Sequence, residues 1–265
     1  MPKEKGYYRT NQINMCKKNI LWSLNGILVL GVLCSFIIQP RKKNIWMIGD
    51  STMAIKAPDK FPETGWGVAF AEMFGSDVDV LNKAKNGRST KSCIREGIWK
   101  EVSDGLKQGD YVFIQFGHND EKVHKPNTGT IIDEYKANLS LFVTEARSKG
   151  AEPILLTPIA RRAFEDGKLV DTHGAYPDAV RTVADSLHVP LIDMTQQTSE
   201  LLTELGEEKS ARLFLHLPEG HINYPKGVID NTHLNERGAE TIATLVAREL
   251  ERQRMPLAKD LKKKK

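Results

Sequence analysis

From residue 44 onward, short apolar runs alternate with longer stretches whose apolar residues recur every three or four positions. Residues 44–48, 78–84, 111–116, 153–157 and 189–193 read as strands. Residues 66–74, 92–106, 133–149, 178–187, 195–205 and 236–254 read as helices. Gly109 and Asp110 introduce the third strand, and Gly150 stops the long helix before the fourth. Strands alternating with helices predict an α/β protein, a three-layer α/β/α sandwich around a central parallel sheet. Such sheets bind ligands beyond the carboxyl ends of their strands, so the residues after each strand are the first to inspect for chemistry.

The ends of the chain follow a different pattern. Residues 20–38 are almost continuously apolar, preceded by Lys17 and Lys18 and followed by Arg41, Lys42 and Lys43. That length matches the roughly 20 residues that span a bilayer. Two readings stay open, a cleaved secretory signal peptide and an uncleaved membrane anchor. Cys34 or Ser35 offers a cleavage point, without an Ala-x-Ala pattern, and Leu33 argues against a lipoprotein cysteine at 34. Met15 opens a shorter, more conventional leader. The expected organisation is a basic region 1–43, one domain over 44–258 and a lysine-rich tail 259–265, of which Lys262 to Lys265 read as a solvated, frayed end. The expected location is periplasmic or extracellular, with the membrane as a partner only if the leader is retained.

Composition narrows the function classes. The chain has 265 residues, 40% hydrophobic and 27% charged, too apolar for a disordered protein. Three cysteines without a Cys-x-x-Cys pair exclude a disulfide scaffold and a zinc knuckle, and beyond the leader only Cys93 remains. A net charge of +4 invites a nucleic-acid partner until the charge is located. Residues 1–43 carry +7, residues 259–265 carry +4, and the body between them carries −7. No nucleic-acid partner is expected for an acidic body.

Four polar clusters follow predicted strands or open the last helix. Gly49-Asp50-Ser51-Thr52 ends the first strand, and Ser51 has either a nucleophile's position or a helix-start role. A Gly-x-Ser-x-Gly elbow is absent there, which argues against an α/β-hydrolase. Asn86-Gly87-Arg88-Ser89 follows the second strand. It reads as a turn with Ser89 as a cap, or as a bare Gly87 N–H open to a carbonyl oxygen. Gly117-His118-Asn119-Asp120 follows the third strand, where the Asn119 amide can donate to an oxyanion. Asp230 stands three residues before His233, a spacing that lets a carboxylate hold Nδ1 and turn Nε2 outward as a general base, and Asn235 caps the next helix.

Together the blocks around Ser51, Gly87, Asn119 and His233 resemble the SGNH hydrolase (GDSL esterase) family, over nearly all of 44–250. Gly65-Trp66-Gly67, Thr157-Pro158-x-x-Arg161-Arg162 and His173-Gly174-Ala175-Tyr176 are similar to its rhamnogalacturonan acetylesterase branch. The resemblance implies an SGNH, flavodoxin-like fold and a serine esterase that removes acetyl groups from pectic polysaccharide. It implies Ser51 as nucleophile, His233 as general base and Asp230 as its orienting acid. Backbone N–H groups of Ser51 and Gly87 and the Asn119 amide would form the oxyanion hole, with no metal and no cofactor. Arg88, Arg161 and Arg162 read as uronate contacts or equally as ion-pair partners, and His173 and Tyr176 as cleft residues. Trp66 and Trp99 read as core, and His118 as support for the Asn119 loop. His216 and His221 have no assignable role. Other acetylated sugars or short-chain esters are alternative substrates. Two further readings are a metal-dependent phosphoesterase using Asp50, His118, Asp120 and His233, and a non-catalytic carbohydrate-binding protein.

Overall fold

The computed structural model describes residues 42–262. The apolar stretch 20–38, the leader readings and the last three lysines lie outside the described residues. Among the described residues no helix is long and apolar enough to cross a membrane.

Strands β1 (Lys43–Gly49), β2 (Val78–Asn82), β3 (Tyr111–Gln115), β4 (Glu152–Leu156) and β7 (Leu191–Ile192) form one sheet in the order β2-β1-β3-β4-β7. Every neighbouring pair in it is parallel. Two small antiparallel pairs stand outside it: β5 (Phe164–Glu165) with β6 (Lys168–Leu169), and β8 (Phe214–Leu217) with β9 (Val228–Leu234). Successive strand side chains point to opposite faces, so Ile45 and Met47 join one core while Trp46 and Ile48 join the other. Both faces are covered, which is why the strands read as continuous apolar runs rather than as alternations. One cover consists of α1 (Trp66–Ala71), α6 (Met194–Ser210) and α7 (Glu236–Arg252). The other consists of α2 (Thr90–Arg95), α3 (Ile98–Gly105), α4 (Ile132–Ser148) and α5 (Tyr176–Ser186). Trp66 and Trp99 are buried in these two layers, as expected.

The differences from the predicted elements have local causes. The helix expected over 92–106 is two helices, because Gly97 adopts φ 72°, a left-handed conformation that side-chain-bearing residues disfavour. Its N–H closes α2 on the Ile94 carbonyl. Helix α6 passes the expected end at 205 and breaks at Gly206 before Ser210. The lysine-rich tail 259–265 is docked at its start, and Lys262, expected to begin a solvated end, is held by the body. Asp260 pairs with Lys43 at 2.5 Å, and the Lys262 N–H donates to the Met73 carbonyl.

The sheet order positions the site. The chain leaves β1 for β2 on one side and then crosses back to β3 on the other. The loops after β1 and β3 therefore diverge, and the crevice between them is the switch point where parallel sheets bind ligands.

Candidate active site

Asp50 organises the turn that follows β1. Its Oδ1 accepts from the Thr52 N–H at 2.9 Å and the Thr52 hydroxyl at 2.8 Å. Its backbone carbonyl accepts from the N–H groups of Met53 and Ala54. The turn presents Ser51 at the carboxyl end of β1 with the residue 7% exposed. Behind it, buried Gln115 at the end of β3 accepts from the Thr52 hydroxyl and from Trp66 Nε1, and donates to the Thr157 carbonyl.

His233 arrives from the opposite direction, on β9. Phe214 pairs with Leu234 but Leu215 pairs with Asp230, so residues 231–233 form a bulge with no counterpart on β8. A bulge bends its strand and re-aims the side chains it carries. Asp230 satisfies the freed backbone: its Oδ1 accepts from the N–H groups of Thr232 at 2.7 Å and His233 at 2.9 Å. Its Oδ2 stands 2.7 Å from His233 Nδ1, and His233 Nε2 stands 2.9 Å from Ser51 Oγ. Partial burial raises the Asp230 carboxyl, but the imidazole and the two N–H donors outweigh it and hold the group at about 2. Thr64 N–H donates to the Leu234 carbonyl and Trp66 N–H to the Thr52 carbonyl, which ties the end of β9 to the Ser51 turn.

Three N–H donors lie in the loops that follow β1, β2 and β3. Among the described residues neither the Ser51 nor the Gly87 backbone N–H finds an internal acceptor. Gly87 adopts φ 76°, and a Cβ there would meet nothing within 4 Å, so the glycine serves a turn conformation over open space. The Asn119 amide donates one hydrogen to the Arg88 carbonyl at 3.0 Å and keeps a second, while its Oδ1 accepts from Lys122 Nζ at 2.8 Å. Lys56 joins two of the loops. Its Nζ reaches the Ser51 carbonyl at 2.6 Å, Asn86 Oδ1 at 2.8 Å and Glu63 Oε1 at 2.7 Å, three acceptors for three hydrogens.

The profile of the GDSL-like lipase/acylhydrolase family matches residues 47–241. The chain belongs to this family. A rhamnogalacturonan acetylesterase of Bacillus subtilis is 42% identical over 215 residues, which cover 80% of this chain and 91% of that protein. The rhamnogalacturonan acetylesterase of Emericella nidulans is 28% identical over 224 residues, covering 76% of this chain and 82% of that protein. An acetylxylan esterase of Geobacillus stearothermophilus shares the fold, with a TM-score of 0.57 at 19% identity over 78% of this chain and 94% of that one.

The remaining predicted residues of this GDSL-like chain separate from the crevice. His173 and Tyr176 are buried, against the expectation that they line the cleft. His173 is matched to Glu121 Oε2 and the Ile159 carbonyl, each at 2.9 Å, and the Tyr176 hydroxyl donates to the Thr130 carbonyl at 2.5 Å. Arg161 is mostly covered and pairs with Glu121, which leaves it a structural cation rather than a free uronate contact. Arg162 donates to Asn231 Oδ1 and to the Glu207 carbonyl. Arg88 remains partly exposed beside Gly87, paired with Glu96 at 2.8 Å. His216 Nε2 meets Asn231 Oδ1, and His221 Nδ1 accepts from the Asn223 N–H.

The four residues of the metal reading face different partners. Asp120 accepts from Thr90 and Thr130, His233 lies between Asp230 and Ser51, and Asp50 faces Thr52 and His118. Among the described residues no three His, Cys, Asp or Glu side chains assemble as a metal-ligand set. Lys56, Lys122 and Gln115 were not singled out from sequence. A buried-strand run ending in a lone amide, and a lysine three residues after Asn119 in a tight turn, are the signals that point to two of them.

Proposed function

We propose that the chain is a serine esterase that removes acetyl groups from plant cell-wall polysaccharide, with pectic rhamnogalacturonan as substrate. The observation that carries the chemistry is the line from Asp230 through His233 to Ser51, closed at 2.7 and 2.9 Å. The substrate class is supported by the two rhamnogalacturonan acetylesterases among the relatives.

In this reading Ser51 Oγ attacks the acetyl carbonyl carbon as its proton passes to His233 Nε2. Asp230 keeps Nε2 aimed at Ser51 and stabilises the imidazolium that forms. The N–H groups of Ser51, Gly87 and Asn119 receive the oxyanion, and losing one such donor lowers kcat by roughly 10²–10³. The sugar oxygen takes the proton from His233 and leaves as a hydroxyl. Water then gives a proton to the same nitrogen and attacks the acetyl-serine carbonyl; the Ser51 Oγ–acyl bond breaks, Oγ takes that proton back from His233, and acetate leaves. Arg88, partly exposed beside Gly87, is the arginine best placed for a uronate carboxylate. Residues 1–43 serve export, a role that N-terminal sequencing of the mature protein tests.

The test is acetate release from acetylated rhamnogalacturonan, acetylated xylan and p-nitrophenyl acetate, with Ser51→Ala as the blank. The expected result is preference for rhamnogalacturonan and loss of all three activities in the variant. Turnover by folded Ser51→Ala at the wild-type rate would remove Ser51 from the nucleophile role.

A further inference from the structure

We propose that Lys122 is a positioning residue for the oxyanion hole, acting on the bound acetyl group through the Asn119 amide rather than by touching substrate. The inference rests on the acyl-enzyme reading above.

The loop after β3 turns tightly on itself: the Glu121 N–H donates to the Gly117 carbonyl and the Lys122 N–H to the Asn119 carbonyl. That turn brings Lys122 Nζ to 2.8 Å from Asn119 Oδ1. An amide so placed has one orientation. Flipping it would set an NH₂ group against an ammonium and an oxygen against the Arg88 carbonyl. Lys122 thus guarantees that Asn119 shows the crevice an N–H and not an acceptor. The ammonium also withdraws electron density from the amide, and charge-assisted, chained hydrogen bonds are stronger than neutral isolated ones.

The charge of Lys122 is poorly neutralised. Lys56, the other lysine backing the crevice, has Glu63 at 2.7 Å, whereas among the described residues Lys122 has no carboxylate within ion-pair distance. The charged groups around it are Lys125 and Glu121 on its own loop, Arg161 from the segment after β4, and Asp50 from the turn after β1. Glu121 is engaged by Arg161 and His173, and Asp50 by Thr52 and His118. The Lys122 ammonium therefore stands directly behind the amide that meets the developing negative charge in this reading, an arrangement that gives electrostatic stabilisation. Burial and the neighbouring cations lower the pKa of Lys122, so its charge is lost as pH rises, earlier than for an ordinary lysine.

The experiment measures kcat and KM for p-nitrophenyl acetate, a neutral ester, with wild type, Lys122→Met, Lys122→Arg, Asn119→Ala and Asn119→Ala/Lys122→Met. Lys122→Met is expected to lower kcat about tenfold, a fraction of the loss of a whole donor, with little change in KM. Lys122→Arg should keep most of the rate and hold kcat to higher pH than wild type, because a guanidinium does not deprotonate there. In the Asn119→Ala background, Lys122→Met should add less than about twofold, because coupled residues are non-additive. An unchanged kcat in Lys122→Met, or an equal loss in both backgrounds, overturns the proposal. So does a change confined to KM, which would make Lys122 a binding contact rather than a positioning residue. If Asn119→Ala itself retains full kcat, the oxyanion reading fails first, and the two failures are distinguishable.

Discussion

Two aspartate–histidine pairs stand either side of Ser51. Asp230 meets His233 at 2.7 Å, and Asp50 meets His118 at 3.2 Å. In both, burial raises the carboxyl, the imidazole and neighbouring hydrogen-bond donors outweigh it, and the group sits at about 2. The pairs differ at the far nitrogen of the ring. His233 Nε2 faces the Ser51 hydroxyl, and both side chains of its pair are 29% exposed. His118 is buried, neither of its ring nitrogens has a hydrogen-bond partner among the described residues, and its ring stands edge-to-face with His173, centroids 4.6 Å apart. Burial lowers its pKa, and the Asp50 carboxylate opposes that shift. A carboxylate beside an imidazole is therefore not sufficient for a general base. In the proposed mechanism the third partner decides, and the bulge in β9 brings the Ser51 hydroxyl to His233 Nε2 at 2.9 Å.

Replacing each aspartate by asparagine tests this contrast, and the largest effect belongs to Asp230. Asp230→Asn keeps the shape but removes the charge that stabilises the imidazolium, so kcat on p-nitrophenyl acetate should fall about 10³–10⁴-fold with the fold intact by circular dichroism. Asp50→Asn should keep kcat within about tenfold of wild type, since Asp50 touches neither the reacting atoms nor His233. Equal losses in the two variants would break the contrast and make the buried pair part of the proton path.

Asp50 should instead matter to stability. Its folded pKa of about 2 lies below the ordinary value of 3.8. A carboxyl depressed on folding contributes stability that is fully present above the unfolded value and is lost as pH falls through the folded one. The difference corresponds to about 2 kcal/mol at neutral pH. Asp50→Asn should therefore unfold at lower urea than wild type at pH 7. The gap should close as both are titrated from pH 4 toward pH 2. A gap that persists unchanged at pH 2 would show that shape, not charge, holds the turn.

How far the sequence revealed this arrangement depends on the reach of the interactions. The strands were legible because both faces of the sheet are buried, so 44–48 marks β1 to within a residue at each end. Ser51, Gly87 and Asn119 were legible because each directly follows such a run. Asp230 and His233 were legible as a pair but not as a bulge, since the shift arises from pairing with β8, whose register no local pattern encodes. The break at Gly97 was hidden because Ile94, Ile98 and Val102 continue the helical period across it. Lys56 was hidden because its role depends on Asn86, thirty residues away in another loop. His173 and Tyr176 were misread as cleft residues because a motif conveys proximity to the site but not on which side of the loop a ring lies.

The smallest expected effect sharpens the buried side of the contrast. Tyr176 supports the Asn119 loop from beneath: its hydroxyl donates to the Thr130 carbonyl at 2.5 Å and approaches the Asp120 carbonyl at 3.3 Å. Tyr176→Phe removes those bonds and leaves the ring packed edge-on against Tyr135. A lost neutral hydrogen bond of this kind costs about 1 kcal/mol, which for a domain of this size lowers Tm by roughly 2–4 °C. The KM for acetylated polysaccharide should stay unchanged, because the hydroxyl is turned onto the Thr130 carbonyl and the ring packs against Tyr135. If KM rises while Tm holds, Tyr176 meets substrate, and the loop over it must open during the reaction. In that case the boundary between the open pair and the buried pair would be a property of the resting enzyme only.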